Sequence, residues 1–249
     1  MQTYEIRRSA SRGKLALDWL EARFSFSFGG YQESTRMHFG ALRVLNEDWV
    51  QPATGFDMHL HANMEIFLIP LSGTMAHTDS LGNEALICPG EILMMRAGSG
   101  IYHSQINAGD KTIDHHLQVW LIPRQRGNAP SIRIKRFDMA EREGKWQLIA
   151  SEQEEHNSLP LDQDAKLYIA RPRQDARLSF TPPPKRSLYL HVVSGPVWVE
   201  TPNGPPEQLD TGDAIAWESA QPFTVTAIEQ RGQELFLADL PAVRCQTAA

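Results

Sequence analysis

Cysteine is scarce: Cys88 and Cys245 are the only two in 249 residues. Two thiols so far apart cannot form a disulfide framework, which fits a reducing compartment and predicts two free thiols. Long apolar runs are missing too. None approaches the roughly 20 residues that a membrane span requires, and the N-terminal stretch MQTYEIRRSASRGK is basic without the apolar segment of a secretory signal. A cytoplasmic location is the expectation, with no membrane contact. Basic clusters longer than a few residues are also absent and the net charge is −6, which argues against a protein that binds nucleic acid by neutralising phosphates. A protein partner is still compatible with that charge.

What the chain does have is 41% hydrophobic residues, with 16 prolines and 17 glycines spread along its length. That composition suits many short strands separated by turns, in one large all-β domain or two of ordinary size. An internal repeat favours two. The segment PLSGTMAHTDSLGNEALICPGEILMM (70–95) and the segment VVSGPVWVETPNGPPEQLDTGDAIAW (192–217) carry Ser-Gly, a turn glycine and Gly-acid at identical spacings, offset by 122 residues throughout. Alternating strands flank each glycine set, so each half reads as a small antiparallel barrel.

Chemistry concentrates in the first half. In GFDMHLHANMEIF (55–67), His59, His61 and Glu65 occupy alternate positions, which on one continuous strand would put all three on one face. The stretch PGEILMMRAGSGIYHSQIN (89–107) sets His103 and Gln105 in the same alternation, after a glycine pair that permits close approach. Two adjacent strands could then converge on one ion, and imidazole suits Fe, Ni, Cu, Zn or Mn. The repeat supplies a control. Carried forward by 122, His59, His61, His103 and Gln105 become Thr181, Pro183, Val225 and Ala227, so the second half lacks the ligands. Of the remaining histidines, His115 and His116 are neighbours on a strand and only one can point inward, while His77 is expected to make a turn or surface contact. Phe56, Tyr102, Met94 and Met95 are candidate pocket walls, and Cys88 is expected to be buried rather than reactive.

The succession GFDMHLHANMEI, then PGEILMMRAGSGIYHSQIN, resembles the two cupin motifs as they occur in the pirin family. DWLEARFSFSFGGY (18–31), ALRVLNED (41–48), SGTMAHTDSLGN and the HLQVWL strand (116–121) extend the likeness over about the first 125 residues. The resemblance implies an all-β bicupin, two antiparallel jelly-roll barrels of the double-stranded β-helix type. The expected division is a metal-bearing barrel at 1–130 and a barrel without ligands at 131–249, in a monomer.

It also implies one divalent transition metal, Fe first among the candidates, held by His59, His61, His103 and a glutamate two residues after the third histidine. Here that position is Gln105, and the arginine often found before the histidine is Tyr102. A carboxylate would bring such a site to +1, whereas an amide leaves it near +2, so affinity should fall and reduction potential rise. Glu65 matches the HxHxxxE spacing of other cupins and offers a replacement carboxylate, either as a ligand or base or as a partner that orients a histidine ring. The family includes quercetin-cleaving dioxygenases, for which the substrate would be a planar flavonol opened by O2, with Glu65 or Gln105 in the catalytic role. It also includes a noncatalytic regulator that senses the redox state of its metal, and the loss of the glutamate is compatible with that alternative or with a degenerate site.

Overall fold

A computed structural model of the chain describes residues 4–174, 176–202, 204–229 and 232–242. The described chain divides into two compact units, one of residues 12–138 with 161–163, the other of residues 4–11, 139–160 and 164–242. The division falls near residue 138, and the first strand, Tyr4–Arg7, belongs to the second unit, where it pairs with Ala214–Trp217.

In the first unit a seven-stranded sheet runs in the order Ser131–Arg136, Glu91–Arg96, Glu65–Ser72, Asp114–Leu121, Leu42–Val50, Leu20–Phe24 and Gly13–Ala16. A four-stranded sheet runs Gly55–His61, Ile101–Asn107, Met75–Asp79 and Glu84–Ile87. All of these pairs are antiparallel. Alternate residues of both sheets fill the core between them, among them Phe24, Val50, Ile66, Leu68, Met75, Ile87, Leu93, Met95 and Ile101, as the period-two pattern requires.

The second unit repeats the plan. Its larger sheet runs Tyr4–Arg7, Ala214–Trp217, Arg186–Ser194, Glu234–Pro241, Lys166–Ala170, Gln147–Ser151 and Leu159–Pro160, and its smaller sheet runs Leu178–Phe180, Phe223–Ala227, Val197–Glu200 and Glu207–Leu209. Tyr4–Arg7 fills the edge position that Ser131–Arg136 fills in the first unit. The repeat extends to the backbone: Gly73 and Gly195 share φ of 80° and 77°, and Gly90 and Gly212 share 88° and 82°, a left-handed turn conformation that favours glycine. The fold is the expected two-domain cupin fold with one correction. The sheets are not closed into barrels, because in each unit the larger and smaller sheets pack face to face without a hydrogen-bonded seam.

Candidate metal centre

The strand Gly55–His61 inverts the usual polarity of a sheet surface. Met58 and Leu60 are about half exposed, while His59 and His61 turn inward and are half-buried. The inversion keeps imidazole rings on the inner face at the cost of apolar side chains in water. The neighbouring strand Ile101–Asn107 sets His103 directly opposite His59, and the register then slips so that Gln105 faces Phe56. The slip is a β-bulge, which re-aims side chains locally. Close approach depends on Gly55: a Cβ there would lie 2.1 Å from the Gln105 carbonyl oxygen.

The three rings His59, His61 and His103 stand 4.5 to 4.9 Å apart between centroids, and one ligand atom from each falls within 4.8 Å of the others. His59 Nδ1 donates to the Asp57 carbonyl at 2.7 Å, since a carbonyl only accepts. That bond places a proton on Nδ1 and turns Nε2 toward the other two rings. The Nε2 atom faces His103 Nε2 at 3.1 Å, and His103 Nδ1 is buried without a partner. Burial, and then the neighbouring His59 ring, hold His61 down to about 4. Burial with the charges of His59, His61 and His77 holds His103 down to about 2. Near neutrality these two rings are therefore uncharged and keep lone pairs to donate. Three converging imidazoles, one with an orphaned buried nitrogen, fit a divalent transition metal. Among the described residues no comparable cluster forms in the second unit. There Thr181 and Pro183 fall outside any strand, and Val225 is core.

His59 and His61 open onto a cavity of about 600 Å³. Phe24, Phe28, Tyr31, Phe56 and Trp120 form its aromatic walls, and Asp48, Gln105, Gln118 and Lys14 are its polar lining. Trp120 meets the His61 ring edge to face at 4.7 Å. Gln105 is buried on the same strand face as His103. Its Oε1 accepts from Gln118 Nε2 at 3.4 Å, Gln118 Oε1 accepts from the Trp120 indole at 2.9 Å, and Gln105 Nε2 is left without a partner.

Several expectations change. Glu65 does not share a strand face with His59 and His61. The first strand ends at His61, Asn63 takes a left-handed φ of 55°, and Glu65 opens a new strand in the other sheet. Fully buried, its carboxylate accepts from Arg96 Nε at 3.0 Å and from the Asp162 N–H at 3.1 Å. Burial pushes that carboxyl above its ordinary range, against the pull of Arg96. His77 is buried, not a surface or turn residue. Its ring lies 5.4 Å from His103 and its Nε2 meets Asp79 Oδ2 at 3.0 Å. Phe56 does line the cavity, whereas Met94 and Met95 are fully buried away from its lining and Tyr102 is half exposed. Cys88 is a half-buried free thiol, and Cys245 lies outside the described residues.

Only one of two neighbouring histidines turns inward, as alternation requires, but its two carboxylate partners were not foreseen. Of the pair His115 and His116, His116 is wholly buried, with Nδ1 at 2.5 Å from Asp114 Oδ2 and Nε2 at 3.5 Å from Asp48 Oδ2. Burial alone would lower its pKa, but the two carboxylates prevail and raise it to about 9. His115 stacks on Trp49 and pairs with Glu47. The signal lay in DHHLQVW, whose alternation puts Asp114, His116, Gln118 and Trp120 on one face.

Comparison with known proteins gives a consistent result. Residues 5–121 match the Pirin family model, and residues 148–240 match the model of the quercetinase C-terminal cupin domain. A quercetin 2,3-dioxygenase of Escherichia coli K12 is 34% identical over 238 residues, covering 96% of this chain and 99% of the relative. A pirin-like protein of Caulobacter vibrioides is 35% identical over 222 residues, 89% of this chain and 92% of its own. Among solved structures, the bacterial pirin YhhW of Escherichia coli in complex with nickel(II) superposes with a TM-score of 0.88 at 33% identity, over 96% of this chain and 100% of that one. With its three-histidine cluster on the cupin motifs and relatives matched over nearly their whole length, this chain belongs to the pirin family.

Proposed function

We propose that the protein is a metal-dependent dioxygenase that opens a flavonol-like ring with O2. The observation that carries this reading is the three-histidine cluster facing an aromatic-walled cavity of about 600 Å³, a volume suited to one small planar ligand. Homologues named quercetin 2,3-dioxygenase support it. His59, His61 and His103 would hold the ion, with iron the leading candidate among Fe, Ni, Cu, Mn and Zn. A divalent transition metal so held would supply Lewis acidity toward a substrate oxygen and a redox partner for O2.

The chain's own residues do the rest. Phe24, Phe28, Phe56 and Trp120 offer ring faces and edges to a planar substrate and exclude water. The His59 Nδ1 bond to the Asp57 carbonyl keeps Nε2 directed at the centre. Asp48, at the cavity wall, is the carboxylate nearest a proton-accepting role there, and its partner His116 balances its charge. Ring opening takes up one O2 and releases one CO, so it consumes no external reductant.

The test is quercetin turnover followed by loss of the flavonol band together with CO in the headspace, in metal-loaded wild type and in His61→Ala. The proposal expects both signals in wild type and neither in the variant. One observation favours a second reading, a noncatalytic metal-sensing or interaction protein: the family's acidic ligand is here an amide, Gln105. Full metal content without CO release would select that reading.

A further inference from the structure

The geometry assigns Gln105 the role of an oriented hydrogen-bond donor to an anionic oxygen of the ligand held in the cavity, in place of a metal ligand or base. The assignment takes the flavonol-like occupant from the proposed function.

The indole N–H of Trp120 can only donate. Its partner, 2.9 Å away, must therefore be the carbonyl oxygen of Gln118. That leaves the Gln118 amide NH2 as the end facing Gln105, and a donor there requires the Gln105 carbonyl oxygen, found at 3.4 Å. Turning Gln105 round would set two NH2 groups against each other. The indole thus fixes the polarity of the whole chain. The end of Gln105 turned away from Gln118 is therefore its NH2, not its oxygen, in a side chain that lines the cavity with His59 and His61.

That NH2 group is buried, with Gln105 only 1% exposed, and has no protein partner. Its cross-strand neighbour His77 does not take it, and His77 Nδ1 is itself without a partner. A buried donor left unsatisfied is costly, about 1–3 kcal/mol, and Gln105 is one of the residues that line the cavity beside the metal cluster. A metal cannot satisfy it, because an amide nitrogen with two hydrogens has no lone pair to give. A deprotonated hydroxyl or enolate oxygen can, and bonds to a charged acceptor are the strong ones. The amide neither accepts nor supplies the proton, so a neutral ligand gives its proton to bulk solvent as it binds in the anionic form. The family's glutamate would have repelled the same oxygen anion at close range. The exchange to Gln105 converts the position from proton acceptor to anion holder.

The test uses quercetin and metal-free full-length protein, so that the amide is read apart from the metal, with absorption spectra reporting the red-shifted band of the ionised flavonol. Wild type should bind quercetin as the anion at a pH where free quercetin is neutral. Gln105→Leu and Gln105→Glu should each weaken binding about tenfold or more and return the band to that of the neutral flavonol. A second arm needs no substrate. In Gln118→Glu the indole still has an acceptor, and the second carboxylate oxygen turns Gln105 round so that its carbonyl faces the histidines. Nickel(II) affinity, measured by calorimetry, should rise, and the gain should vanish in a Gln105→Leu background. Unchanged quercetin affinity and spectrum in both Gln105 variants overturns the assignment, as does a nickel(II) affinity that Gln118→Glu leaves unaltered or raises equally without Gln105. Failure of quercetin to bind wild type would refute the substrate reading alone, and the nickel(II) arm would still decide the amide's orientation.

Discussion

The Nε2 atoms of His59 and His103 lie 3.1 Å apart on facing strands, and the bond from His59 Nδ1 to the Asp57 carbonyl turns the His59 atom toward the cluster. Two such nitrogens cannot stay at that distance as bare lone pairs. A shared proton or a cation must lie between or beside them. His59→Ala removes one donor and its bond to the Asp57 carbonyl together, and is expected to reduce metal content from near one per chain to near zero by elemental analysis. Full occupancy in that variant would remove the centre from these residues.

Glu65 is bound to Arg96 and the Asp162 N–H in the other sheet. Glu65→Gln should therefore leave metal content unchanged and lower unfolding stability by about 1–3 kcal/mol, the cost of weakening a buried charge-assisted pair. Chemical denaturation paired with metal analysis checks it. Loss of metal at unchanged stability would mean that the carboxylate serves the centre.

Gly55 has no Cβ because the Gln105 carbonyl oxygen occupies that space. Gly55→Ala should force the two ligand-bearing strands apart, costing about 1–3 kcal/mol as an overpacking change and weakening metal affinity. A calorimetric titration that gives wild-type affinity would show that the strands tolerate the shift.

His116 stands between Asp114 on its own strand and Asp48 on the neighbouring one, opposite Pro70 on the other side. Its folded pKa, about 9, exceeds the ordinary 6.5. The imidazolium's contribution to stability is therefore fully present below pH 6.5 and is lost as pH rises through about 9, with a slope of at most about 1.4 kcal/mol per pH unit. Denaturant unfolding of wild type and His116→Gln across that window should show the difference between them shrinking with rising pH. A difference that is flat with pH would mean that His116 is neutral in the folded protein.

How much of this could be read from the sequence depended on whether the deciding signal was local. The 122-residue repeat worked because each glycine marks a turn that both halves need, and Gly73 and Gly195 adopt nearly the same φ. The histidine pairs worked because alternation on a strand fixes the face. Glu65 was misplaced because alternation was extended through residues 62–64, where the chain leaves the strand and Asn63 turns left-handed. His77 was misjudged because a position next to a turn says nothing about what packs over it. The polarity of the Gln105 amide was not readable at all, since it is set by Trp120 through Gln118, 15 residues along the chain and across sheets.

If the three histidines hold a metal that works on a ligand in the adjoining cavity, metal content and oxygen uptake with quercetin, read on one preparation of untagged protein, should rise together. Near one Fe, Ni, Cu or Mn per chain is expected, with oxygen consumption that follows metal loading. Protein that takes up no metal on reconstitution, or that holds a full complement and consumes no oxygen with quercetin, would contradict that reading.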